Sequence, residues 1–417
     1  MGSASGVRRL QLSSDEFSHC RDCLSERRLR SLVASHGTPL LILDCAQVRQ
    51  NYRRLRAALP TVSVHYAVKA LPENSVLSAL HDEGSHFDAA SIGELELLRQ
   101  LHVPADRVMH THPIKTIDEI RTAIGYGCNT FVFDNADELL KFKPFRDRVR
   151  LLLRIGFRNA DATVDLSKKF GAAPADVLPL LEQARNLGLR TIGFSFHVGS
   201  QCANSQAHVG AIRTCAELMA AVSAAGLPEL RIMDIGGGFP APYTSDVPTI
   251  EEFCGPIREA VERLPRHVRV VSEPGRYLVA SAGHTAAAIV GKANREGSPW
   301  YYLDDGIYGS FGAQVFDGIY YQLSVLARGA RPGPKQVSHL AGPTCDSGDM
   351  VSDGIQLPDL HIGDVIVAHV MGAYTCVTAN DFNSVKRAKI VALDEPESLE
   401  QSGTMLKASA TLKASAK

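Results

Sequence analysis

Eight times between Val62 and Ser272 the chain repeats one unit: a short β-branched apolar run, a polar turn, then an amphipathic helical stretch. The runs are Val62–Val68, His86–Ala89, Arg107–Thr111, Thr130–Phe133, Val149–Arg154, Thr191–His197, Arg231–Ile235 and Val268–Ser272. Helical spacing fills the intervals, as in Asn74–Asp82, Gly93–Leu101, Ala175–Leu187, His208–Ala225 and Ile250–Arg263. Strands that are apolar throughout, rather than alternating, belong to a parallel sheet covered by helices. Such a chain either closes into a (β/α)8 barrel or stays open as a doubly wound sheet. The polar residues separate the two. Lys69, Asp88, Arg154, His197, Gly236–Gly238 and Glu273 all fall at or just past the C-terminal ends of runs. A barrel gathers those ends at one mouth, where barrel enzymes keep their sites, whereas an open sheet spreads them along an edge. The expected fold is α/β, with a (β/α)8 barrel.

After about Val279 the texture changes. Short apolar runs (Ala286–Val290, Trp300–Leu303, Val365–Val370, Ala388–Leu393) are separated by Gly, Pro and Asp turns, which reads as a β-rich second domain. The segment Pro39–Leu43 looks like one more strand of that domain. The expected organisation is therefore an N-terminal segment over 1–45 that contributes to the β domain, a barrel over 46–278, the β-rich domain over 279–394, and a tail over 395–417. The tail repeats Lys-Ala-Ser-Ala at Lys407–Ala410 and Lys413–Ala416 and holds few large apolar residues, so disorder is expected there.

A chain of 417 residues suffices for two domains, and its net charge of −1 draws it to neither nucleic acid nor an anionic membrane. No apolar run is long enough to span a bilayer. Met1–Ser13 has no apolar core of a secretory signal, and Gly6 stands where a myristoylation signal needs Ser or Thr. Nine irregularly spaced cysteines suit free thiols in a reducing compartment. The expected location is cytoplasmic. His19, Cys20 and Cys23 resemble half a zinc site, but no second pair at ligand spacing follows, so they read as ordinary thiols and no metal is expected.

The mouth carries the chemistry. Lys69 closes the apolar stretch Tyr66-Ala67-Val68, where poor solvation would lower its pKa and make it a Schiff-base nucleophile. Alone it would read as a strand-end lysine reaching for water. Gly236, Gly237 and Gly238, after the seventh run, expose backbone N–H groups that suit a phosphate; alone they would read as a flexible turn. Barrels commonly hold phosphate in the loops after strands seven and eight, and the eighth loop, Ser272-Glu273-Pro274-Gly275-Arg276, adds a cation and a carboxylate. The dinucleotide fingerprint is missing. Lysine, phosphate loop and buried carboxylate together point to pyridoxal 5'-phosphate more than to any other cofactor. Lys69 would hold its aldehyde, Glu273 would keep its pyridine nitrogen protonated, His197 would stack on its ring and Ser200 would donate to its phosphate.

These residues stand in a series of ordered motifs: Tyr66–Ala70, Phe87–Ser91 with Glu94, Leu166–Gly171, Phe196–Ser200, Asp234–Pro240, Glu273–Tyr277, Asp305–Phe311, Gly342–Asp346 and Gly372–Thr375. Over about Pro39–Lys389 the chain resembles the fold type III pyridoxal-phosphate-dependent decarboxylases, and among them ornithine decarboxylase. The resemblance implies an alanine racemase-like barrel plus a β-sandwich or β-barrel. It implies Lys69 as the cofactor lysine, His197 on the ring, and Glu273 at the pyridinium with Asp88 and Arg154 in support. Phosphate would lie on Ser200, Gly237, Gly275, Arg276 and Tyr374, with Gly236, Gly238 and Pro274 also among the cofactor-binding residues. Cys345 would return a proton to the substrate carbon once carbon dioxide has left. Phe316, Asp317 and Asp346 would receive the distal ammonium. The family is a head-to-tail homodimer, so Cys345 and Asp346 would reach into the partner's barrel.

The first expected substrate is L-ornithine, giving putrescine and carbon dioxide in polyamine biosynthesis. Lysine, a D-amino acid and diaminopimelate stay open, because Ser347-Gly348-Asp349 and His110–Lys115 depart from the ornithine decarboxylase pattern. Diaminopimelate would need a cation for its second carboxylate, and no arginine lies between Asp304 and Leu326. A racemase would hold the pyridine nitrogen with arginine where this chain has Glu273. A regulatory homologue without activity would be expected to have lost Lys69, Cys345 or the glycine loop.

Overall fold

A computed structural model describes residues 24–394 apart from 160–161, 165, 245 and 330–332. Met1–Ser13, the His19–Cys23 pattern and the Lys-Ala-Ser-Ala tail lie outside the described residues.

The strands Val62–Ala67, His86–Ala89, Val108–His110, Thr130–Phe133, Arg150–Ile155, Thr191–Phe196, Ile232–Asp234 and Arg269–Ser272 form a closed barrel. Each begins and ends within one residue of its apolar run. All neighbours are parallel, and pairing of Val270–Ser272 with Val62–Val64 closes the ring. The open-sheet alternative is thereby excluded.

Both faces of these strands are buried, which is why the runs are apolar throughout. Phe131, Phe133, Leu151 and Leu153 face the helices as part of the main core. Met109, Val132, Leu152, Ile192, Ile232 and Val271, one from each of six consecutive strands, form a separate cluster inside the barrel. Each such side chain contributes about 1.5–3 kcal/mol by its burial. Side chains alternate along a strand, so the residue two positions further on points the same way. Thr111, Arg154, Asp234 and Glu273 thus stand above Met109, Leu152, Ile232 and Val271. The interior packing aims the polar residues into the mouth.

The outer helices begin on sequence-encoded caps. Thr116 with Glu119 and Thr249 with Glu252 form capping boxes, and Ser91 caps the helix Ile92–Gln100. In the second domain the strands run in the order Gln322–Leu326, Val365–His369, Gly283–Arg295, Ser298–Leu303, Gln336–Ala341, Met350–Leu357. Leu40–Asp44 joins this sheet between Gly283–Arg295 and Lys389–Leu393. The sheet is spliced to the barrel mouth by backbone. Gly372 passes so close to Val279 that an added Cβ would lie 1.8 Å from its carbonyl oxygen, and Tyr374 N–H donates to the Ala70 carbonyl at 3.0 Å. No helix of the described residues is long and apolar enough to cross a membrane.

Barrel closure leaves no room at Gly193, where a Cβ would lie 2.1 Å from the Ile232 carbonyl oxygen on the next strand. Gly193→Ala is expected to destabilise the protein by about 1–3 kcal/mol through overpacking, measured by denaturant unfolding. Unchanged stability would mean that these two strands are not packed as described.

Candidate active site

The first strand ends in the tight turn Val68–Ala70, which swings Lys69 across the mouth. Its Nζ meets Asp88 Oδ2 at 2.6 Å, and Thr111 Oγ1 donates to the other oxygen of the same wholly buried carboxylate. Burial pulls the Lys69 pKa down, but Asp88 and Glu273 push harder in the other direction, and the net shift is upward. The sequence-based expectation of a lowered pKa is overturned. Two acids that are far away in sequence surround the amine and keep it charged until a partner for those acids arrives.

The floor of the site is rich in carboxyl groups. Burial raises the pKa of Asp234 well above the usual range, and Glu273 beside it raises it further. Asp234 Oδ1 accepts from Gly236 N–H at 2.9 Å, while Oδ2 has no hydrogen-bond partner among the described residues. Burial beside a second acid favours the protonated form of Asp234. Burial and Asp88 raise the Glu273 pKa in turn. A buried carboxyl held in this way calls for a cation.

His197 follows the sixth strand. Its Nδ1 accepts from Gly199 N–H at 3.0 Å, which leaves the proton on Nε2. Burial, then the Arg154 and Lys69 charges, hold the pKa well below 6.5, so the ring is neutral. Gly237 lies against it. A Cβ there would come 2.6 Å from the Glu273 carbonyl oxygen and 3.0 Å from His197 Nε2. Gly236 and Gly238 have φ of 66° and 95°, in the region that favours glycine. Gly236 and Pro274 act through backbone: Gly236 O accepts from Glu273 N–H at 2.7 Å, and Pro274 O from Ala67 N–H at 3.1 Å.

The other end of the cavity is cationic. Arg276, buried, donates to Ser200 Oγ at 3.2 and 3.1 Å, to Tyr243 Oη at 3.2 Å and to Asp317 Oδ2 at 2.5 Å. Its guanidinium lies 4.7 Å from the centre of the Tyr374 ring. Arg154 rests over Phe170 at 5.5 Å. A cavity of about 330 Å³ is lined by Lys69, Arg154, His197, Ser200, Gly238, Glu273, Gly275, Arg276, Phe316, Asp317 and Tyr374. Asp88 lies behind Lys69.

Cys345 and Asp346 are not among the lining residues. They lie on the second domain, where Cys345 is exposed, Tyr308 Oη donates to the Asp346 carboxylate, and Cys345 N–H donates to Asn383 Oδ1 at 2.9 Å. Sequence reasoning gave no role to Tyr243, which bonds Arg276, or to His208, whose Nε2 lies 3.0 Å from the Gly237 carbonyl. Each is a lone aromatic in an unremarkable stretch, and only the tertiary contact marks it.

The donor set fits pyridoxal phosphate. Excess buried carboxyl at the floor suits a cationic ring nitrogen, the Lys69 amine stands beside it, and Arg276 with Ser200 and the glycine loop suits a phosphate. Comparison with known proteins agrees. Residues 45–280 match the family model described as the pyridoxal-dependent decarboxylase, pyridoxal binding domain. The lysine/ornithine decarboxylase of Selenomonas ruminantium is 36% identical over 376 residues, covering 90% of this chain and 94% of that one. The ornithine decarboxylase of Mus musculus is 32% identical over 394 residues, covering 90% and 85%. A crystal structure of lysine/ornithine decarboxylase from Vibrio vulnificus, complexed with putrescine, superposes with a TM-score of 0.84 at 48% identity, covering 89% of this chain and 99% of that one.

The contacts at Gly237 supply a test of the loop. Gly237→Ala should weaken retention of pyridoxal phosphate about ten-fold or more, since about 1–3 kcal/mol of overpacking falls on the groups that meet it. Absorbance titration of the stripped protein measures this, and wild-type affinity would show that the loop yields freely. A closed parallel barrel, a lysine against buried acids and matches over nine-tenths of the chain agree, and the chain belongs to the fold type III pyridoxal-phosphate-dependent decarboxylases of the ornithine decarboxylase family.

Proposed function

We propose that the protein decarboxylates a basic amino acid, L-ornithine first and L-lysine as the alternative, at a site holding pyridoxal phosphate on Lys69. The observation that carries the substrate assignment is Asp317. It lies at the cavity wall, its side chain only 18% exposed, and pairs with Arg276. A phosphate at Arg276 would draw the guanidinium away and free Asp317 for a substrate ammonium. The exchange keeps each charge paired, which a site of this burial requires. Relatives whose names join lysine and ornithine support the same pair of substrates.

Bound pyridoxal phosphate supplies an electron-withdrawing ring to the substrate's α-carbon. The chain's own residues would do the rest. Glu273, backed by Asp234, would hold a proton on the ring nitrogen. Neutral His197 would lie against the ring without repelling a cation. Ser200, Gly236–Gly238, Gly275, Arg276 and Tyr374 would fix the phosphate end, with Pro274 holding the loop. Phe316 would pack along the substrate chain.

Cys345 and Asp346 would serve the partner's site in a homodimer, Cys345 giving a proton to the α-carbon and Asp346 joining Asp317 at the distal ammonium. Two features support this. Both residues lie on the second domain outside this chain's cavity, and Phe316, which lines it, is 65% exposed, with Val315 and Tyr320 close by in the chain at 63% and 52%. Apolar side chains left open at a polar site suit an interface.

Borohydride reduction of the yellow protein should attach a pyridoxyl group to the peptide containing Lys69, and label on another lysine would refute the assignment. Asp317→Ala should cost about 2–5 kcal/mol in kcat/KM for ornithine and lysine while the cofactor still binds. A panel of L- and D-ornithine, lysine, arginine, 2,4-diaminobutyrate and diaminopimelate, read by carbon dioxide release, tests the substrate. Preference for diaminopimelate would overturn it. Inactive Lys69→Ala and Cys345→Ala proteins, mixed and allowed to exchange, should regain about a quarter of wild-type activity, the share of intact sites in a random two-fold assembly. No recovery after demonstrated exchange would rule out the shared site.

A further inference from the structure

The loop after the third barrel strand, flagged in the sequence as unusual, is anchored by a charge with no place in the chemistry above. Lys115 is completely buried. Its Nζ donates to the carbonyl oxygens of His112 at 2.7 Å, Pro113 at 3.1 Å and Val132 at 2.6 Å, and lies 3.3 Å from Glu138 Oε1. Three N–H donors meet three backbone acceptors, one on the fourth barrel strand and two on the loop after the third. Burying an ammonium is costly unless it is hydrogen-bonded and paired, and here both conditions are met by this one loop and its neighbouring strand and helix.

What it holds is one wall of the cavity. Thr111, His112 and Pro113 all line it. The His112 ring meets the edge of Phe170, 5.3 Å between centres, and Phe170 carries Arg154. Thr111 donates to Asp88, the partner of Lys69. We propose that Lys115 is a positioning residue for the substrate pocket, fixing the Thr111–Pro113 wall through the three carbonyl groups that it clamps. The proposal rests on the cavity at Lys69 being the substrate site.

The clamp is built to be sensitive to alkali. Burial lowers the Lys115 pKa to about 8, with Glu138 acting against that shift. The other titratable groups facing it are Lys141 on the helix Ala136–Phe142, Asp134 after the fourth strand, His110 at the end of the third and His112 on the loop. Glu138 does not depend on Lys115 for a partner, because Lys141 Nζ meets its Oε2 at 2.6 Å. Lys115 can therefore lose its proton without stranding a buried carboxylate. A neutral amine keeps only two N–H donors, so one of the three carbonyl groups is released. Global stability moves the other way. The unfolded chain holds this proton more tightly, so between about 8 and the ordinary 10.5 the group's contribution to stability rises with pH. Loss of substrate affinity in that window is then a local loosening.

The test uses the holoenzyme and its best diamino-acid substrate, with kcat and KM measured separately over about pH 6.5–9.5. In the wild type KM should rise with a midpoint near 8 while the melting temperature does not fall with it. Lys115→Met, similar in volume but without donors, should raise KM about ten-fold at neutral pH, change kcat by less than about two-fold, and show no limb near 8. Its cofactor absorbance should be that of the wild type. Glu138→Gln keeps the acceptor for Lys115 N–H but removes the counter-charge, so its limb should shift to lower pH. A wild-type KM in Lys115→Met, or an unaltered limb in either variant, would overturn the proposal. If Lys115→Met does not fold, the position of the limb in Glu138→Gln decides. Lys69→Ala is the control for the site itself: retained cofactor and turnover there would refute the site, whereas failure of the Lys115 variants alone would leave it standing.

Discussion

Pairing between Val270–Ser272 and Val62–Val64 turns a sheet into a barrel, and most of what the molecule can do follows from that closure. Once the ring is shut, each strand has an inner and an outer face, both dry. The inner face has room for little more than the Met109–Val271 layer, so polar side chains are driven to the strand ends. There Thr111, Arg154, Asp234 and Glu273 arrive from different strands and face a common space. None of them needs a specific loop conformation to be aimed correctly, because the alternation of the strand does it.

Crowding acids into that space has an electrostatic consequence. Asp88, Asp234 and Glu273 are all buried, and their mutual repulsion is eased by Lys69, Arg154 and the raised pKa of Asp234. The result is a floor that is stable but short of positive charge. Arg276 has the opposite character, gathering Ser200, Tyr243 and Asp317 around one guanidinium. A molecule that is cationic at one end and anionic at the other satisfies both ends without rearranging the barrel, which is why the residues fit pyridoxal phosphate.

The second domain contributes through backbone as much as through side chains. The strand Leu40–Asp44 precedes the barrel in the chain yet pairs with strands that follow it, tying both termini of the barrel into one sheet. The close pass of Gly372 and the bond from Tyr374 to Ala70 bring a loop of that sheet over the turn that carries Lys69. The Tyr374 ring then has Arg276 against it without any helix or strand of the barrel having to supply it.

The amino-acid sequence determined the barrel, because continuous apolar runs at regular spacing have few other ways to bury both faces. It also placed Lys69, Asp88, Arg154, His197, Glu273 and the glycine loop at strand ends, which is a matter of counting along the chain. It could not show that Lys69 is charged rather than depressed, since the acids responsible, Asp88 and Glu273, are 19 and 204 positions away and act through space. Tyr243 and His208 stayed silent for the same reason, and Lys115 stood out only as part of an unusual loop, without a role. Each takes its meaning from a contact, with Arg276, Gly237 or three carbonyl groups, that exists only once distant strands are adjacent. Position along a strand is a local property that periodicity reports, whereas the charge state and partners of a buried group depend on every neighbour that folding brings within a few ångströms.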